Sequence, residues 1–205
     1  MSASRRLSQQ ERRDATQAAL LQATLDCLIE DGYVLTTTRL VAKRAGVSQG
    51  ALQYHYSTRS ELIVAAIQHL AHQLAELGKA EFPATHETGS ERDQCEHYLD
   101  FLWEVHNLPI AGAVQELFVA ARTDADVAAR MGQVLAEAVD LVVEGARRAA
   151  PTLSANPRFR EWLLLSVATM RGAVTVSALS ASTAHVGDWA VLRRHLMTVL
   201  DFLEQ

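Results

Sequence analysis

The chain has 205 residues, 49% of them hydrophobic, and a formal charge of −5. That length suffices for one large domain or for a small module joined to a larger one, with a real core in either case. Four Pro, ten Gly and abundant Ala and Leu favour helix over sheet, and the negative total excludes a uniformly basic nucleic-acid coat.

Ser8-Gln-Gln-Glu11 is a capping-box pattern and predicts a helix over about 9–31. Ala18, Leu21, Leu25 and Leu28 line one face of it, and Gly32 supplies the stop. After YVLTTT the apolar spacing resumes at Val41 and Ala45, breaks at Gly46, and restarts from Ser48 through Leu52 to Tyr56. Two short helices joined by a turn of about three residues are the helix-turn-helix format. Ser57-Thr58 caps a fourth helix carrying Leu62, Ala66, Ile67, Leu70 and Leu74, which ends by Glu81. PATHETGSERD (83–93) is a connector, followed by helices near 91–106, 109–122, 124–149, 158–182 and 187–204, with breaks at Pro109, Asp124, Pro151/Pro157 and Gly187. The expected fold is all-α: an N-terminal helix-turn-helix module of three helices over 1–60, then a larger helical domain over 61–205.

Residues 1–60 hold eight Lys and Arg against five Asp and Glu, a net +3, whereas 61–205 holds eleven against nineteen, a net −8. The basic part is the helix-turn-helix part. Cys27 and Cys95 are too few to staple such a chain, and a reducing cytoplasm is expected. MSASRRLSQQERRD has no apolar run behind its basic residues, so no export is expected. WLLLSVATMRGAVTVSALSA (162–181) reaches membrane length but centres on Arg171, which predicts a buried helix and no membrane association.

At 100° per residue, Leu52 and Tyr56 fall on one side of the second short helix. Gly50, Ala51, Gln53 and Tyr54 cover the other, flanked by Gln49 and His55. Amides that match adenine edges, beside residues small enough for close approach, suit a helix entering a major groove. Thr37, Thr38 and Arg39 begin the preceding helix and Arg59 the following one, which are places and groups that hold phosphates. Lys43 and Arg44 either touch DNA or are simply solvated, and His55 either reads or packs.

This segment resembles the DNA-binding part of TetR-family transcriptional regulators, through "GY" at 32–33, "TT" at 36–37, "VAKRAGVS" at 41–48, "GALQYHY" at 50–56 and "TRSEL" at 58–62. The resemblance implies phosphate contacts from Thr38, Arg39, Tyr54 and Arg59, and base or groove contacts from Gln49, Gly50, Ala51, Gln53 and His55. Two positions depart from the family pattern. Gln53 stands where a Tyr is usual, leaving it open to a base contact in place of a phosphate contact, and Leu40 replaces a commonly polar residue and is expected to pack on the first helix.

The remaining helices fit the family's ligand-binding and dimerisation part in length and class. A helix over 158–182 that is apolar nearly all round needs cover on both sides. With a last helix carrying a stripe of its own, it predicts a homodimer through Ala173, Ser177, Trp189, Leu192, Leu196 and Leu200. Candidate ligand-pocket residues are Trp103, His106, Phe118, Arg122, Trp162, Met170 and Arg171. Arg171 must meet an acid, a carbonyl or an anionic effector, with Glu104, Glu116 and Glu161 as possible mates. His69, His72, His97 and His106 raise a metal site, but surface or core roles are commoner, so neither metal nor cofactor is expected. No nucleophile elbow, phosphate loop or paired metal motif organises the Ser, His and acidic residues, so an enzyme is not expected. The expectation is a dimeric regulator, most often a repressor, that binds double-stranded operator DNA and is released by a small-molecule effector. A constitutive DNA-binding regulator without effector is the first alternative, and an α-helical small-molecule-binding enzyme the second.

Overall fold

The computed structural model describes residues 8–82, 89–177 and 188–202. It is helical, with no strand among the described residues: α1 (Gln9–Leu35), α2 (Thr38–Ala45), α3 (Gln49–His55), α4 (Arg59–Glu81), α5 (Glu91–His106), α6 (Ala111–Ala120), α7 (Ala125–Ala149), α8 (Pro157–Ser177) and α9 (Trp189–Asp201). A 3-10 turn, Leu153–Ala155, lies between α7 and α8. The parts of the last two expected helices over 178–182, at 187 and over 203–204 lie outside the described residues. No described helix is long and apolar enough to cross a membrane.

The chain folds as two compact units, Met1–Leu70 with Gly112–Val134, and Ala71–Ala111 with Leu135–Gln205. In the first, the expected capping box opens α1: the Ser8 hydroxyl accepts from Glu11 N at 3.1 Å, and the Glu11 carboxylate accepts from Ser8 N at 2.6 Å. Leu20, Leu21, Leu25 and Leu28 are buried, whereas Ala18, expected on the same stripe, is exposed. Gly32 does break the helix, at φ 75° and ψ 175°, but a further turn follows it to Leu35.

That kink frees backbone groups, and long-range partners take them up. Tyr33 N donates to the Glu116 carboxylate of α6 at 2.6 Å. A Cβ on Gly32 would lie 3.2 Å from both Glu116 oxygens, so Gly meets the positive φ and the close approach together. Arg59, at the start of α4, donates from Nε to Thr36 O at 2.6 Å and from Nη2 to Tyr33 O, with its guanidinium carbon 4.2 Å from the Tyr33 ring centroid. The Ser60 hydroxyl donates to Asp126 at the start of α7.

The second unit has a core that includes Phe82, Leu99, Trp162, Leu163, Met170 and Leu200, all with 4% exposure or less. Burial of each such side chain contributes about 1.5–3 kcal/mol. Two polar ties fix its helix ends. Glu91 accepts from Thr152 N at 2.9 Å and Leu153 N at 2.7 Å, and Arg92 donates from Nε to Asp201 at 2.7 Å.

Candidate nucleic-acid interface

The helix-turn-helix is built from local signals. Thr37 caps α2 by accepting from Leu40 N at 3.2 Å. Gly46 ends it in the left-handed region (φ 68°), with Val47 N donating back to Ala42 O at 3.0 Å. A Cβ at Gly46 would meet nothing within 4 Å, so the requirement there is conformational rather than steric. Ser48 then caps α3, accepting from Ala51 N at 3.1 Å. Leu52 (0% exposed) and Tyr56 (6%) anchor the inward side of α3, and burial raises the Tyr56 pKa, so its phenol stays neutral.

The outward side is presented as a continuous face. Gln49, Gly50 and Gln53 are exposed, Tyr54 is 72% exposed, and Ala51 and His55 are half-buried. Tyr54 is steadied from two directions: the His55 ring meets it edge-on with centroids 5.4 Å apart, and the Arg13 guanidinium of α1 lies 5.7 Å from its centroid. Gln49 donates to the Thr38 hydroxyl at 3.0 Å, so the first turn of α3 is linked to the start of α2. Arg39 and Lys43 are exposed, and neither has an acidic partner among the described residues. Arg44 differs: its Nη2 lies 2.6 Å from Glu30 and 3.7 Å from Asp31 of α1, so its charge is spent within the module. Arg59 is half-buried and holds the α1–α2 connection through the two carbonyls described above, a structural role its sequence position does not signal. Leu40 is half-buried.

The seven residues expected around a ligand are divided between the two units. Phe118 and Arg122 belong to the first unit, the other five to the second. Trp162 and Met170 are core residues, with Trp162 Nε1 donating to Leu196 O at 2.8 Å. Trp103 stacks on Trp189 with centroids 4.8 Å apart and planes 7° apart. His106 is half-buried, its Nδ1 is 2.7 Å from Leu102 O, and its pKa is lowered first by burial and then by the Arg171 charge. Arg171 is half-buried in its turn, and burial lowers its pKa. Of the three carboxylates considered for it, Glu116 accepts from Tyr33 N.

One cavity in the second unit is lined by other residues, from α4, α5 and α7, among them Ala75, Gly78, Phe101 and Gly145, and none of the seven lines it, whereas Trp103 lines a second hollow there with Leu77, Asp100, Glu104 and Trp189. Small residues on a helix face read as ordinary packing. The signal that marks them is a pair of helical glycines, Gly78 and Gly145, each within the last five residues of its helix, although Gly is a poor helix former.

The stripe expected at the dimer interface also turns inward in part. Leu196 and Leu200 lie in the core with Leu192 packed against it, and Ala173 is buried. Trp189 is half-buried, and Ser177 is exposed with its hydroxyl on Val174 O at 2.9 Å. The large apolar groups left exposed there are instead Leu165 (60%) on α8, Val199 (44%) on α9 and Phe202 (66%), the residue after α9. Among the described residues no group of three or more His, Cys, Asp and Glu is placed to hold a metal. His72 lies 3.0 Å from Glu137, and His97 lies 3.1 Å from Glu81.

Residues 20–66 match the family model described as bacterial regulatory proteins, tetR family. An uncharacterised HTH-type transcriptional regulator of Mycobacterium tuberculosis (strain ATCC 25618 / H37Rv) is 35% identical over 153 residues, 73% of this chain and 75% of the relative. Among solved structures, a TetR transcription regulator from Haloarcula marismortui superposes with a TM-score of 0.70 at 18% identity, over 92% of this chain and 97% of that one. A transcriptional regulator from Saccharomonospora viridis in complex with choline has a TM-score of 0.66 at 12% identity, over 92% and 96% of the two chains. The chain belongs to the TetR family of DNA-binding transcriptional regulators.

Proposed function

We propose that this protein is a dimeric repressor that leaves its operator when a small molecule occupies the cavity of the second unit. The observation that carries the reading is the face of α3: Gln53 and Tyr54 stand exposed on a helix pinned by Leu52 and Tyr56. Gln49, Gly50, Ala51, Gln53 and His55 face the bases, and Thr37, Thr38, Arg39 and Tyr54 hold phosphates, with Lys43 beside them. Arg59 acts one step back, by fixing the α1–α2 connection on which α2 is hung. Reading is the work of residues 1–60, and ligand binding and dimerisation that of 61–205. The protein acts by binding rather than by catalysis, in the cytoplasm where its operator is.

A homodimer places two reading helices about one DNA turn (~34 Å) apart, which a palindromic operator matches. The exposed Leu165, Val199 and Phe202 favour that state. Gly172 points the same way: it sits mid-helix and exposed, and a Cβ there would meet nothing within 4 Å of its own protomer. Release is a population shift. Helices α4 and α7 each begin in the first unit and end in the second, so a ligand that prefers one arrangement of their second halves biases their first halves, with reciprocal coupling to DNA. The cavity favours this reading over a constitutive regulator, as does the choline complex of a neighbour with the same fold.

Fluorescence anisotropy with DNA from upstream of the protein's own gene tests the assignment of roles. Gln53→Ala is expected to relax base preference, and Arg39→Ala to weaken all sequences alike and reduce the salt slope by about one. Equal, salt-independent losses from both would refute it.

A further inference from the structure

We infer that the cavity ligand is an uncharged molecule whose buried part is a single aromatic ring, an inference that rests on the effector reading above and gives that effector a chemical class. The cavity measures about 130 Å³ and three helices each give it one face. Ala71, Ala75 and Gly78 recur on α4 at steps of four and three residues, so that wall is mostly of small residues, with Leu74 and Lys79 beside them. Ala138 and Gly145, seven apart on α7, are the small residues of a second wall that also carries Leu141, Val142, Glu144 and Arg148. Helix α5 supplies the flat surfaces, Tyr98 and Phe101, whose rings are stacked at 6.1 Å and 22°.

The glycines fix where those rings lie. A Cβ on Gly145 would overlap the Tyr98 hydroxyl, and one on Gly78 would come within 3.3 Å of the Phe101 ring. The rings therefore rest against bare backbone, and the space left beside them keeps its shape. An apolar cavity of about 150 Å³ stays dry and takes up benzene, so the size and lining here fit one ring. Aromatic rings on one side favour an aromatic guest by offset or edge-on contact.

Charge selects the same class. The polar group of the inner lining, the Tyr98 hydroxyl, donates its hydrogen to Val142 O at 2.8 Å, and burial keeps it protonated. The cations at the rim already have acids, Lys79 with Glu76 at 2.6 Å and Arg148 with Glu144 at 3.4 Å. A carboxylate or ammonium entering would lose its water and meet counter-charges that already have a group of opposite sign beside them, whereas a hydrocarbon ring loses nothing it needs.

Toluene, benzoate and choline, each titrated into the full-length protein and followed by saturation-transfer NMR and thermal shift, test this. Toluene is expected to bind and raise the melting temperature, with benzoate and choline at least tenfold weaker. Ala75→Leu and Ala138→Leu fill the cavity from two different helices, and either one, if folded by circular dichroism, is expected to lose the toluene signal. Tighter binding of benzoate or choline than of toluene would overturn the inference, as would a toluene signal unchanged in a folded filling variant. Operator anisotropy with and without toluene separates the two levels: toluene binding without release keeps the ligand class and refutes the effector role.

Discussion

Arg59 distinguishes a residue that holds the reading module together from one that merely touches DNA. Replacing it with Ala removes two charge-assisted bonds, to Thr36 O and Tyr33 O, and the contact with the Tyr33 ring. A hydrogen bond to a charged group contributes about 1.5–3 kcal/mol and a cation–π contact about 0.5–1 kcal/mol. Thr36 is 1% exposed, so water does not readily replace the lost donor there, but Arg59 itself is only half-buried and part of the gain is screened. The expected net loss is about 2–4 kcal/mol, against a total stability of roughly 5–15 kcal/mol. Urea unfolding reads it as a lower midpoint at unchanged slope. Arg59→Lys keeps the charge without the forked geometry and is expected to recover less than half of the loss. An unfolding free energy within about 0.5 kcal/mol of wild type, with the salt slope of DNA binding lower by about one, would make Arg59 a phosphate ligand and refute the structural role.

Other consequences follow from single residues. Gly172→Ala meets no neighbour in its own protomer and is expected to favour helix α8 by about 0.5–1 kcal/mol, yet to weaken the dimer in sedimentation equilibrium; an unchanged dimer would remove Gly172 from the interface. The Glu61 carboxylate is held below its ordinary pKa, first by the Ser57 hydroxyl and then by the Ser57 N–H. A lowered folded pKa adds stability that is complete above the unfolded value of about 4.3 and is lost as pH falls through the folded one. The melting-temperature gap between wild type and Glu61→Gln is therefore full at pH 6 and closes below about pH 4; a gap independent of pH would contradict the pairing. Leu52→Ala, which empties the site under the reading helix, is expected to cost about 2–5 kcal/mol, measurable by the same urea unfolding.

The reading module is legible in the sequence because its determinants are local. Ser8, Thr37 and Ser48 cap helices within three residues of themselves, Gly46 turns the chain by its own φ, and winding Gln49–Tyr56 at 100° per residue separates Leu52 from Gln53. Arg59 is illegible for the opposite reason: its partners are backbone carbonyls 23 and 26 residues away, and an acceptor that every residue carries leaves no trace in sequence. Arg44 likewise pairs with acids 14 and 13 positions earlier rather than staying available. For the cavity of α4, α5 and α7, side-chain size points to residues other than its lining. Trp162 and Met170 fill space, whereas a cavity is made by the side chains that Ala71, Ala75, Gly78 and Gly145 lack. The last two helices turn their largest residues inward and leave Leu165, Val199 and Phe202 outside, which the periodicity of a helix apolar nearly all round does not settle.

The central claim is that α3, presented twice by a dimer, reads one DNA sequence. Selection of bound fragments from random duplex DNA by the full-length protein, followed by sequencing, tests it most directly. The account predicts one enriched inverted repeat with half-sites about one helical turn apart, whose base preference relaxes at a position in each half-site when Gln53 is changed to Ala. Enrichment of no sequence over the input, or a preference that Gln53→Ala leaves intact in every position, would contradict it.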